Sequence, residues 1–196
     1  VTRMAESFAS ETGRAPKRIV MIGRYLPELR ESPALRDLGV DFIETSDAEF
    51  RQLRQAGDAK GLLAALRGTE DIVVLNEYLE ATAQLKEVIE AVTAKTSNDT
   101  WVGVVFANAN SLPARALRRY WPRYFDMKST FLSAANLAQL FKEANYRLVR
   151  QSPVASNVSA GYVLDRVGVT SVPKPIGGAL RHLHARVPTG VQEALF

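Results

Sequence analysis

The 196-residue chain is 46% hydrophobic, carries a net charge of +4 and contains no cysteine. That is ample apolar material for one domain of ordinary size, and it excludes disulfides and thiolate chemistry. No apolar run approaches the ~18 residues of a membrane-spanning helix, the opening residues Arg3, Glu6 and Glu11 are too polar for a signal peptide, and the charges are too mixed in sign for a nucleic-acid binder, so a cytoplasmic protein is expected.

Residues 1–16 read as a loose or helical lead-in that ends at Pro16. Ile19-Val20-Met21-Ile22 follows as a buried strand running into Gly23. A helix is expected from Pro27 to Leu38, interrupted by Pro33 and closed by Gly39, and Val40 to Ile43 reads as a second strand. Ser46-Asp47-Ala48-Glu49 has the form of a capping box, in which the serine caps the first turn and the glutamate reaches back to the serine amide. The helix it opens spans 47–55 and stops near Gly57, and residues 59–67 read as helical up to Gly68. Asp71 leads into Ile72-Val73-Val74-Leu75, a continuous apolar run of the kind a strand covered on both faces shows. Leu85, Val88, Ile89 and Val92 keep helical spacing, and Thr100 to Phe106 is the next strand.

A loop with Asn108, Asn110 and Pro113 precedes a basic and aromatic segment over 115–125. Ser133 starts another helix, with Leu137, Leu140, Phe141 and Ala144 on one face and Asn145 at its left-handed close. Segments 146–151 and 160–167 read as two final strands, antiparallel to each other. The tail from Val172 carries Pro173, Pro175 and Pro188 around a short basic helix, whose Leu180, Leu183 and Val187 suit packing on the domain, on a partner or on a membrane surface.

Strands alternating with helices argue for an α/β architecture, a doubly wound, mostly parallel sheet with helices on both faces. Ligands of such sheets sit at the carboxyl ends of the strands. Here those ends are Gly23-Arg24, Glu44, Asn76-Glu77 and Ala107-Asn108.

In this order the motifs become familiar. RIVMIG, VDFIETS, Gly57-Asp58-Ala59, EDIVVLNEYLEA, WVGVVFANANS and STFLSAANLAQLFKEANYRLV resemble successive elements of the class I S-adenosylmethionine-dependent methyltransferases of the small-molecule type. The resemblance runs from about Arg18 to Val167. It implies a Rossmann-like methyltransferase fold with its last strands antiparallel, over residues 17–170, between the lead-in of 1–16 and a basic tail of 171–196. It also implies S-adenosylmethionine (SAM) as cofactor; no metal is expected, because the two histidines have no further ligand near them in sequence. Gly23 matches the first motif glycine, Glu44 the acid that holds the ribose hydroxyls, and Asp58 the acceptor for the adenine amino group. Asn76 completes the cofactor set. Glu77 and the patch Arg118, Arg119, Tyr120, Trp121 and Tyr124 fall on the substrate side. The patch could bind a phosphate or sugar nucleotide, or be a solvated basic helix with its aromatics on the core. A small molecule or a protein is the expected partner.

The first turn departs from the family pattern. After Gly23 the family has two further glycines, where backbone approaches the cofactor closely. This chain has Arg24-Tyr25-Leu26-Pro27, which brings a large ring and a residue with no amide donor. Met21 stands where the family has a carboxylate, and Ala81 where the family's turn has a histidine. The sequence therefore supports the fold more than the activity, and a non-catalytic binding or assembly module is expected, with an active methyltransferase as the alternative. RIVMIG and DIVVLNEYLEA also resemble response-regulator receiver strands. That fold needs acids after the first strand and at the end of the third, where Gly23-Arg24 and Asn76 stand. His182 and His184 lack a third ligand nearby and read as surface residues.

Overall fold

The computed structural model describes residues 1–23, 31–44, 48, 63, 66–118, 121, 130–159 and 184–196, with the backbone alone at 44, 117, 155–159 and 184–190. Six strands form one sheet: β1 (Ile19–Gly23), β2 (Val40–Glu44), β3 (Ile72–Asn76), β4 (Trp101–Ala107), β5 (Arg150–Ser159) and β6 (His184–Leu195). Their order is β2-β1-β3-β4-β6-β5. The first four are parallel, and β6 runs antiparallel to both β4 and β5. The expected architecture, a mostly parallel sheet with its last strands antiparallel, is the one observed.

The continuous apolar runs feed two cores, because successive strand residues point to opposite faces. Val20, Ile22, Val73, Leu75, Val102 and Val104 lie on one face, against α3 (Leu85–Lys95) and α5 (Ala134–Glu143). Ile19, Met21, Ile72 and Val74 lie on the other, with Met4, Ala5 and Phe8 of α1 (Thr2–Thr12). The lead-in is thus a helix seated on the sheet. Gly103 lets it sit there, since a Cβ at that position would come within 2.5 Å of the Met4 sulfur. Phe8 meets Trp101 edge to face, with ring centres 5.2 Å apart.

The helix α2 (Pro33–Asp37) corrects one expectation. Pro33 opens the helix instead of interrupting it, following Ser32 at the N-cap. At the first helical position the missing amide hydrogen costs nothing, and the fixed φ suits the turn. The capping box at 46–49 and the helix it opens fall largely outside the described residues. The helix starting after Ser133 is present as α5: the Ser133 hydroxyl accepts from the Asn136 amide at 3.1 Å. Asn145 takes the expected left-handed conformation, φ 65°.

The end of the chain also differs from expectation. Strand pairing begins at Arg150, four residues later than the expected start at 146, while 160–167 lies outside the described residues. Residues 184–195, expected as part of a tail around a basic helix, are a strand. Pro188, Thr189 and Gly190 are poor helix formers. The open edge of β4 offers the following residues a ladder, in which Gly103 to Ala107 pair with Leu195 to Val191, while Pro188 pairs with Ala155 of β5. Among the described residues no helix is long and apolar enough to cross a membrane.

The amino ends of the parallel strands are held by a polar network. Asp71 accepts from Arg14 Nη2 at 2.6 Å and from the amides of Lys17 and Arg18 at 2.6 and 3.1 Å. Partial burial raises its pKa, but the Arg14 hydrogen bond, the two amides and the Arg14 charge together hold it below the usual aspartate value. Beside it the fully buried Glu70 carboxylate accepts from the Arg67 amide at 2.8 Å and faces Arg18 Nη1 at 3.5 Å.

Candidate functional site

The strand order reverses between β1 and β3. From β1 the chain first adds β2 on one side, then crosses to lay β3 on the other. A crevice outside the carboxyl ends of the strands at such a switch point is where ligands of open α/β sheets bind. Gly23 is the last residue of β1, and its partners in register are Glu44 on β2 and Asn76 on β3. Three of the four expected cofactor residues thus stand in one row across adjacent strands. The fourth, Asp58, lies outside the described residues, as do Tyr25 and Pro27 of the first turn.

Gly23 is required for a reason the sequence does not display. A Cβ there would overlap the carbonyl oxygen of Asn76. The glycine therefore permits close approach of β3, whatever else it does for a ligand.

Past Asn76 the chain turns abruptly. Glu77 is half-buried, has φ 52° and donates its amide to the Val105 carbonyl at 2.8 Å. A side-chain-bearing residue in the left-handed region costs on the order of 1–3 kcal/mol, and such positions cluster at functional sites. The short 3-10 turn Leu79–Ala81 follows. Its Glu80 is fully buried, and its Oε1 accepts from the Ala107 amide at 3.1 Å while its carbonyl accepts from the Thr130 amide at 3.2 Å. Glu80 ties the turn after β3 to the end of β4. Sequence reasoning missed it, although the Leu79-Glu80 pair stands in the motif that carried the resemblance.

The residues past β4, including the substrate-side candidates Arg118 and Trp121, are dispersed in role. Asn108, just past β4, is buried, and its side chain accepts from the Asn110 amide at 3.0 Å, closing a turn. The helix α4 (Leu112–Leu117) follows, capped by Ser111. Arg118, at its end, is exposed with φ 48°, and its carbonyl accepts from the Trp121 amide at 3.0 Å. Trp121 is 1% exposed and packs with Ala107 and Ala114. For Trp121 alone, that is the core-packing option. Arg119, Tyr120 and Tyr124 lie outside the described residues. Exposed Leu112 and Phe131 add apolar surface to the segments flanking β4's carboxyl end.

A sheet of this order, parallel through β1 to β4 with its strand order reversing between β1 and β3, is of the Rossmann-like class. A family model for a methyltransferase domain matches residues 10–151, and the chain belongs to that family, the class I SAM-dependent methyltransferases. Solved structures share the fold. A SAM-dependent methyltransferase from Archaeoglobus fulgidus is 14% identical, with 100% of this chain and 93% of that one covered and a TM-score of 0.54. The plantazolicin methyltransferase BpumL, solved in complex with SAH, is 12% identical over 99% and 82%, at 0.55. A methyltransferase in complex with the Haloferax volcanii Trm112 methyltransferase activator is 12% identical over 98% and 89%, at 0.53. No curated protein matches the chain.

Proposed function

We propose that this methyltransferase domain works as a non-catalytic binding or assembly module. The observation that carries the reading is the internal use of the groups at the carboxyl ends of β3 and β4. Glu80 is spent on the Ala107 amide, Asn108 on its own turn and Trp121 on the core. The loop chemistry agrees. In sequence, Tyr25 and Pro27 occupy the motif stretch in which the family has glycines, bare backbone and free amides for the cofactor's amino-acid end. The fold supports protein partners, since one structural relative is held by an activator protein. A cytoplasmic location goes with this reading.

A second reading, an active SAM-dependent methyltransferase for a small molecule or sugar, is favoured by the row of Glu44, Gly23 and Asn76. Methyl transfer to an activated acceptor needs mainly proximity and alignment, so the lack of an obvious base does not count against it. In that reading Glu44 holds the ribose, Asp58 the adenine, and Glu77 with the Arg118–Tyr124 patch faces the acceptor. Calorimetric titration with SAM and with SAH separates the two. The module reading expects no binding heat from a folded sample. Micromolar binding that Glu44→Ala abolishes overturns it in favour of the enzyme.

A further inference from the structure

The amino-terminal edge of the sheet carries a cleft that the methyltransferase reading does not use. Its volume is about 490 Å³, within the range of roughly 300–1,000 Å³ typical of small-molecule sites. It opens between the end of α3, the start of β4 and the turn after α5. Trp101, Tyr146 and Phe196 supply ring surface, and Asn98, Asn145 and Arg147 supply polar groups.

The polar groups divide into two sets. The Thr96 hydroxyl is committed to the Val92 carbonyl, and the Ser97 and Thr100 hydroxyls bond each other at 2.9 Å. These shape the wall. The side chains of Asn98, Asn145 and Arg147 are exposed and make no hydrogen bond or ion pair with the described residues. Among the described residues, Arg147 is the one charged side chain lining the cleft. Asn145 is fixed by its left-handed backbone and by its amide bond to the Lys142 carbonyl at 3.0 Å. Tyr146 is fixed by its edge-to-face contact with Phe141, ring centres 5.5 Å apart, and Phe141 in turn stacks on Phe196 at 4.1 Å. Asn145 and Tyr146 therefore sit on a rigid base.

Two amides present donors and acceptors that suit vicinal hydroxyls, aromatic rings offer an apolar face, and a lone guanidinium suits a phosphate or carboxylate. We infer that this cleft is a second binding site, for a hydroxyl-bearing ring that carries one acidic group, such as a sugar phosphate or a nucleoside monophosphate. It lies at the opposite edge from Gly23 and Asn76, so it stands or falls apart from the SAM question.

The test is a titration of the intact chain with glucose 6-phosphate, AMP, glucose and inorganic phosphate, followed by amide chemical shifts and tryptophan fluorescence. Trp121 is buried, so a fluorescence change reports chiefly on Trp101. Saturable shifts at Asn98, Asn145 and Arg147 are expected with a phosphorylated ring. Sugar phosphate and nucleotide are told apart by which binds more tightly; plain glucose, which lacks the charge-assisted contact, and plain phosphate, which lacks the ring and hydroxyl contacts, should each bind at least about tenfold more weakly. Arg147→Ala should lower affinity for the phosphorylated ring by a similar factor. Asn145→Gly removes the amide while keeping the left-handed backbone, so it should weaken binding with no change in melting temperature. Absence of shifts at millimolar ligand overturns the inference. So does binding that Arg147→Ala and Asn145→Gly leave untouched.

Discussion

Replacing Asp71 by alanine tests how the sheet's amino edge is held. The carboxylate accepts three hydrogen bonds, from Arg14 and from the amides of Lys17 and Arg18. Arg14 is half exposed, at 48%, and its ion pair is screened by water; such pairs contribute about 0–1 kcal/mol. Each amide bond to the charged group adds about 1 kcal/mol once water's competition is counted, below the roughly 1.5–3 kcal/mol of fully buried cases. The expected loss is therefore about 2–3 kcal/mol at pH 7, or roughly 4–12 °C in melting temperature for a domain of this size. The pH dependence has a definite sign. The folded-state pKa lies below the unfolded value near pH 4, so the stabilisation is complete above about pH 5 and is lost as pH falls through the folded value. Calorimetric melting of wild type and Asp71→Ala at pH 7 and on stepwise acidification should show a gap that narrows with falling pH. A gap under about 1 °C at pH 7, or one unchanged on acidification below the folded pKa, would refute the reasoning, since the charged acceptor would then contribute too little to account for it.

Two further outcomes follow from the packing and the turn. Gly103→Ala forces a methyl against the Met4 sulfur and should cost about 1–3 kcal/mol, much of it recovered in the Met4→Ala background, as a double-mutant cycle in urea would read. Glu80→Ala leaves the buried Ala107 amide without its carboxylate and should cost about 1–3 kcal/mol; hydrogen exchange at that amide should speed up more than at Val102 or Val104.

How much of this was legible in the sequence depends on where the deciding contact lies. The strands β1 to β4 and the helices α3 and α5 follow from apolar periodicity and a local cap, Ser133, both written within a few residues. The row of Gly23, Glu44 and Asn76 was legible because each closes its strand. The role of Gly23 was not, since it depends on the Asn76 carbonyl more than fifty residues away. Trp121 is ambiguous for the same reason: a basic and aromatic segment reads alike whether its rings face ligand or core, and only Ala107 and Ala114 decide.

The sequence by itself determined the strands β1 to β4, the helices α3 and α5, the residues that close those strands, and the family, because these rest on local patterns and on their order along the chain. The tertiary structure alone decided that residues 184–195 are a strand, that α1 covers the sheet through Gly103, that Glu80 is a buried tether and that an amino-edge cleft exists. Each of these depends on pairing or contact between segments distant in sequence. A local pattern cannot encode such contacts, because the partner that satisfies a strand edge or buries a carboxylate is chosen only when the chain is packed.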